Sequence, residues 1–328
     1  MKFVKLFICF KVFAFLLMAN MAMAQSSTIR VGYDPAVNSP HVHLVEQLKE
    51  YIQKNIKNTV RLKLYPYTNT FKERDAITAI KEGRLDIAMP AISSVVDYAP
   101  RLKLFELPFL FANQEAAEKF VNGDYGQRMA RLVASEGIYG YGFLSDGMKQ
   151  FVANKKIIQP FDVLGVKMGI ANSDVLIQQY DQMGAVSTPV KRKDIKSWYS
   201  ASKINAYEEN WVHIHANNIA STPSYITESD HAYKGYLLVV SEKFWKLLNA
   251  GNGDTYKSLL SESLAAANRV HNQNIVQSKR QINAADNVEV YRLSVNERQS
   301  WSATLQLVWE IFEDDIGKEL INIAASVR

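Results

Sequence analysis

The 328-residue sequence contains one cysteine, Cys9. From Gln25 onward there is none, which excludes disulfides, thiolate nucleophiles and thiolate metal ligands from the rest of the chain. Long apolar runs are equally scarce: past the first 24 residues no stretch approaches the roughly 18 apolar residues that span a bilayer. Missing too are a GxSxG elbow, a P-loop and a GxGxxG turn, so no motif recommends acyl transfer, nucleotide hydrolysis or dinucleotide binding. A strong basic surplus is also lacking. Lys2, Lys5 and Lys11 have no acidic neighbour in the first 24 residues, and the remainder holds 35 basic against 33 acidic side chains. That balance carries no nucleic-acid footprint.

What is present begins with MKFVKLFICFKVFAFLLMANMAMAQ. Early lysines, an apolar run too short for an anchor, and the small-x-small sequence Ala22-Met23-Ala24 predict a secretory signal over residues 1–24. Beyond it the chain alternates. TIRVGYD, TVRLKLYP and LDIAMPA read as strands around two helical patterns, HVHLVEQLKEYIQKNI and KERDAITAIKEG, the latter stopped by Gly83. A second such unit runs from GVKMGIA to INAYEENW, with GYGFLSDGMKQFVANKK between the two. Such β-α alternation predicts α/β domains with largely parallel sheets and ligand sites beyond the strands' carboxyl ends. HAYKGYLLVVSEKFW adds a strand, and the C-terminal part reads as helical. There Ser294 and Glu297 form a capping box, followed by an apolar stripe at Trp301, Leu305, Val308 and Phe312.

One stretch, NAYEENWVHIH (205–215), concentrates the candidate chemistry. Read as a strand, it places His213 and His215 on one side with Glu209 nearby, so a zinc-type hydrolase site using Glu209, His213 and His215 is one reading. It lacks HExxH spacing. Glu208 and Glu209 are adjacent, so on a strand their side chains diverge and cannot jointly flank a scissile bond. Tyr207, Glu208, Glu209, Asn210 and Trp211 at a strand end instead have the make-up of a pocket wall. Phe109 and Phe111 of ELPFLF read as packing, and Glu73 with Arg74 as surface helix residues.

YPYTNTFKERDAITAIKEGRLDIAMPA, LFELPFLFANQEAA, SDGMKQFVANKKI, LGVKMGIANSDV, INAYEENWVHI and GYLLVVSEKFW together resemble, in order, the substrate-binding proteins of tripartite ATP-independent periplasmic (TRAP) transporters of the dicarboxylate-binding type. The resemblance implies a two-lobed α/β periplasmic binding fold with a hinge and a long helix spanning both lobes. The expected division is residues 25–148 plus about 236–275 for lobe I, and 149–235 plus about 276–328 for lobe II. It further implies a periplasmic monomer, not an enzyme, that needs no cofactor and delivers a small organic molecule, most simply an organic acid, to membrane-embedded permease subunits. The implied ligand contacts are Lys149, Gly169, Tyr207, Glu208, Glu209, Asn210 and Trp211. Three depart from the family pattern: Gly169 stands where an arginine usually forks onto a carboxylate, Lys149 where a second arginine is common, and Glu209 where asparagine follows the glutamate. An ionised Glu209 facing a cleft would repel an anion and favour an amine or hydroxyl.

Overall fold

The structure, a computed structural model, describes residues 27–57, 59–68, 71–134, 137–218, 224–251 and 253–328. The stretch read as a secretory signal lies outside the described residues. Strand β1 (Ser27–Tyr33) pairs in parallel with β2 (Val60–Pro66) and β3 (Ile87–Ala88). Helix α1 (Pro40–Asn55) begins where the Ser39 side chain accepts the Val42 N–H, and its apolar stripe of Leu44, Val45, Leu48 and Ile52 is buried on the sheet. Helix α2 (Glu73–Lys81) ends before Gly83, whose φ of +67° suits a residue without Cβ. Two 3₁₀ turns, Ile92–Ser94 and Pro100–Glu106, and helices α3 (Gln114–Asn122) and α4 (Asp124–Arg131) follow. Phe109 and Phe111 are buried in the core beside them.

The connecting stretch GYGFLSDGMKQFVANKK is not a loop. It forms β4 (Ile138–Met148) and β5 (Gln150–Ala153), two strands of different sheets separated only by Lys149. Its glycines disguise it, and they are needed for packing: a Cβ on Gly140 would sit 1.8 Å from the Ala130 carbonyl oxygen of α4. The return crossing joins β9 (Ser224–Glu228) to β10 (Tyr233–Ser241). The two crossings are stitched together where the Lys149 N–H donates to Ala232 O (2.8 Å) and the His231 N–H to Lys149 O (3.2 Å).

The second lobe contains β6 (Lys167–Ile170), helix α5 (Asp174–Asp181), β7 (Val186–Pro189), a 3₁₀ turn Arg192–Asp194, helix α6 (Ile195–Ser200), β8 (Ala206–Glu209) and helix α7 (Trp211–Ala216). After β10 come helix α8 (Glu242–Leu248), the 31-residue helix α9 (Gly253–Asn283) and β11 (Val288–Arg292). Sheet order is β2-β1-β3-β10-β4 in one lobe and β11-β9-β5-β8-β6-β7 in the other. Both sheets are mixed rather than largely parallel, because the crossing strands run against the rest: β10 is antiparallel to β3 and β4, and β5 to β8 and β9. Helix α9 packs on α1 and β4 of the first lobe and on α7 and β11 of the second.

The Ser294–Glu297 box caps α10 (Val295–Ile311) as expected, and Trp301, Leu305, Val308 and Phe312 are buried. The helical run then breaks twice, giving α11 (Glu313–Ile316) and α12 (Lys318–Ser326) around Gly317, whose φ is +101°. Arg298 of α10 donates to the carbonyls of Ser229, Asp230 and Phe111, so this terminal segment braces the return crossing.

Candidate functional site

A cavity of about 230 Å³ lies between the two sheets. It opens at the carboxyl ends of β3, β6, β7 and β8, where ligands of open α/β sheets are held. That volume falls below the approximately 300 Å³ at which drug-sized sites begin. This is room for a small metabolite.

Glu208 anchors one side. Its Oε1 accepts from Lys149 Nζ, and its Oε2 accepts from Tyr180 O–H (2.7 Å) and meets His231 Nε2 (3.0 Å). Burial alone would raise this carboxyl, but Lys149 and His231 outweigh it and hold the group well below the usual carboxylate range. Lys149 is shifted the other way, its burial overcome by Glu208, Glu106 and Glu209. Only 13% of the Lys149 side chain and 3% of the Glu208 side chain are exposed. Glu106 stands close by, with Ser173 O–H donating to its Oε2 (3.1 Å). Burial pushes this carboxyl up, against the pull of Lys149 and Ser173.

Glu209 reaches the cavity from the same strand and meets a separate set of partners. Its Oε1 accepts from Lys234 Nζ of β10, and burial is again outweighed, by Lys234, His213 and Arg192, so the carboxyl is lowered. Lys234 also stands 3.4 Å from Asp146. Asp146 is fully buried. Burial disfavours its charge, yet Lys234 and His213, the latter 3.2 Å away, keep it well below its ordinary value. Arg192, from the turn after β7, donates to Tyr236 Oη (3.1 Å) and to Asp34 Oδ2 (2.7 Å). Glu73, at the first turn of α2, accepts the Ala91 N–H (2.9 Å), and burial raises its carboxyl.

Of the residues singled out in the sequence, Lys149, Gly169, Glu208 and Glu209 border the cavity, whereas Tyr207, Asn210 and Trp211 do not. Tyr207 lies two residues deeper in β8, buried against Tyr199 at 5.3 Å between ring centroids. Asn210 ends the strand: its side chain caps α7 by accepting the His213 N–H and donates to Asp146 O (2.5 Å). Trp211 therefore belongs to a helix and sits under Lys279 of α9. Gly169 forms a bare backbone wall, since a Cβ there would fall 2.6 Å from Ile204 Cδ1. The cavity's guanidinium comes instead from Arg192.

Sequence reading missed four charged neighbours of the cavity. Arg192 hides in the solvated-looking run KRKD, and Glu73 was read as surface. Lys234 and Glu106 did leave a signal, each being a lone charge inside an otherwise apolar segment, YKGYLLVVS and LFELPFLF.

Residues 31–315 match the family described as Bacterial extracellular solute-binding protein, family 7 (DctP). The chain belongs to this family. Among relatives of this family 7 protein, the C4-dicarboxylate-binding periplasmic protein DctP of Shewanella loihica is 30% identical over 305 residues, covering 92% of this chain and 90% of the relative. Its counterpart in Vibrio cholerae is 28% identical, covering 86% and 84%. A TRAP periplasmic solute binding protein from Shewanella oneidensis, solved with bound succinate, superposes with a TM-score of 0.83 at 30% identity, covering 92% of this chain and 99% of that one. Family 7 proteins are periplasmic solute receptors of TRAP transporters, not enzymes. The alternative of a hydrolase built on Glu209, His213 and His215 is thereby overturned, and the geometry gives the reason. With α7 starting at Trp211, the two histidines stand on different sides of a helix, His215 being exposed while His213 turns to Asp146. Among the described residues no group of three His, Cys, Asp or Glu could hold a metal.

Proposed function

We propose that this receptor works as a periplasmic monomer that shuts on a small organic acid and presents it to the membrane-embedded permease subunits of a TRAP transporter. The observation that carries the reading is the cavity's position, walled by charged groups from both sheets, so that a guest touching both favours the closed arrangement over the open one. Lys149, Arg192 and Lys234 supply positive charge for a carboxylate. Glu208 fixes Lys149, and Glu209 fixes Lys234. Charge-assisted hydrogen bonds of this kind contribute about 1.5–3 kcal/mol each. The names of the Shewanella relatives, one C4-dicarboxylate-binding and one solved with succinate, favour an acid as the guest.

Native mass spectrometry of the exported protein, with small-angle scattering before and after guest removal, tests this reading. The expected result is a co-purifying acid whose removal enlarges the radius of gyration. A guest without an acidic group, or a radius indifferent to saturation, overturns it.

A further inference from the structure

The cavity walls carry no positive surplus. Lys149, Arg192 and Lys234 are its cations, and each is already engaged: Lys149 by Glu208, Lys234 by Glu209 and Asp146, Arg192 by Asp34. Those four carboxylates exceed the three cations by one charge.

Two further carboxyls remain. Glu106 is buried and borders the cavity, and among the described residues only its Oε2 has a hydrogen-bond partner. Glu73 likewise uses only Oε1, on the Ala91 N–H. Glu209 Oε2 is a third oxygen without a hydrogen bond among the described residues, since Lys234 and the Asn210 N–H both use Oε1. Burial raises the Glu106 and Glu73 carboxyls, and a cation placed beside them favours their ionised form, whose oxygens accept hydrogen bonds. A guest that brings only carboxylates finds cations already neutralised and, at Glu209, an acceptor facing its own acceptors. One that also brings a cationic nitrogen supplies the missing donors while its carboxylate shares the cations.

Building on the organic-acid reading above, we propose that the cavity selects an amino acid, a guest bearing an ammonium group together with its carboxylate, over the corresponding simple dicarboxylate. The ammonium is placed at Glu106, with Glu73 and Glu209 adding negative charge elsewhere on the cavity wall, and carboxylates at Arg192 and Lys149. Glu106 and Glu209 become specificity-determining through charge.

Two matched pairs of probes isolate the ammonium group: aspartate against succinate, and glutamate against glutarate. In calorimetric titrations of the guest-free protein, the amino member of at least one pair should bind tenfold or more tighter than its partner. Glu106→Gln, which keeps the shape and removes the charge, should narrow that ratio at least tenfold. Glu73→Gln should do the same to a smaller extent, and serves if the first variant melts early. Diacids that equal or exceed their amino counterparts in both pairs overturn this inference while leaving the organic-acid receptor intact. So does a ratio unmoved by both variants. If none of the four probes nor any other organic acid binds, the receptor reading falls and this inference with it.

Discussion

Two ion pairs border the same cavity and differ in what they join. Lys149–Glu208 lies within the second sheet and the crossing strand that feeds it, is almost wholly buried, and is reinforced by Tyr180 and His231. Arg192–Asp34 reaches from the turn after β7 to the residue after β1, from one lobe to the other, with 38% and 24% of the two side chains exposed. Breaking a buried pair leaves an uncompensated charge and costs about 3–5 kcal/mol, whereas exposed pairs contribute about 0–1 kcal/mol. The first pair therefore belongs to the fold, and the second to the contact between lobes. It stands beside the more buried Lys234–Glu209 pair, which also joins the two sheets, β10 to β8.

The largest test of this contrast is Lys149→Ala. It should lower unfolding stability by about 3–5 kcal/mol with or without a guest, read from urea melts. An undiminished midpoint would show that Glu208 is held by Tyr180 and His231 alone.

Acid tests the support of the cross-lobe pair. The Asp34 N–H donates to His41 Nδ1 (3.0 Å), and burial lowers this imidazole from its ordinary 6.5 to about 4. The unfolded chain takes up the proton below pH 6.5 and the folded chain resists until about pH 4, so stability falls as pH falls through that window. The interval corresponds to about 3 kcal/mol, with His43 and His231 lowered by burial in the same direction. Urea melts from pH 7 to pH 4 should show the decline, with a shallower slope in His41→Gln.

Arg192→Ala should act oppositely to Lys149→Ala. Its stability cost is at most about 1 kcal/mol, but carboxylate affinity by calorimetry should drop roughly tenfold to a hundredfold. Smallest of all, Trp211→Phe should leave affinity within about twofold, since the indole lies under Lys279 and away from the cavity.

The order of strands and helices was legible because periodicity and caps agree with packing, as at Ser294–Glu297 and Gly83. Strand β4 escaped because Gly140 and Gly142, which weaken any strand reading, answer to neighbours outside the strand, Ala130 and Leu264. The same limit governs the site. Glu208 and Glu209 announce themselves as adjacent acids, but Arg192 and Glu73 matter only because the fold brings the ends of β7 and α2 to one cavity. Tyr207 and Trp211 looked like pocket walls because an aromatic wall and an aromatic core have one composition. Asn210 was the available correction: taken as a helix cap, it ends the strand at Glu209.

Helix α9 has a consequence for how the two lobes are joined. At about 1.5 Å per residue its 31 residues extend roughly 46 Å, attached to one lobe over its first half and to the other over its second. Its interior has neither proline nor glycine, so there is no weak joint at which to fold. Movement of the lobes must flex it along its length like a leaf spring. An unbroken helix resists sharp bending, so it ties the two sheets together along its whole length.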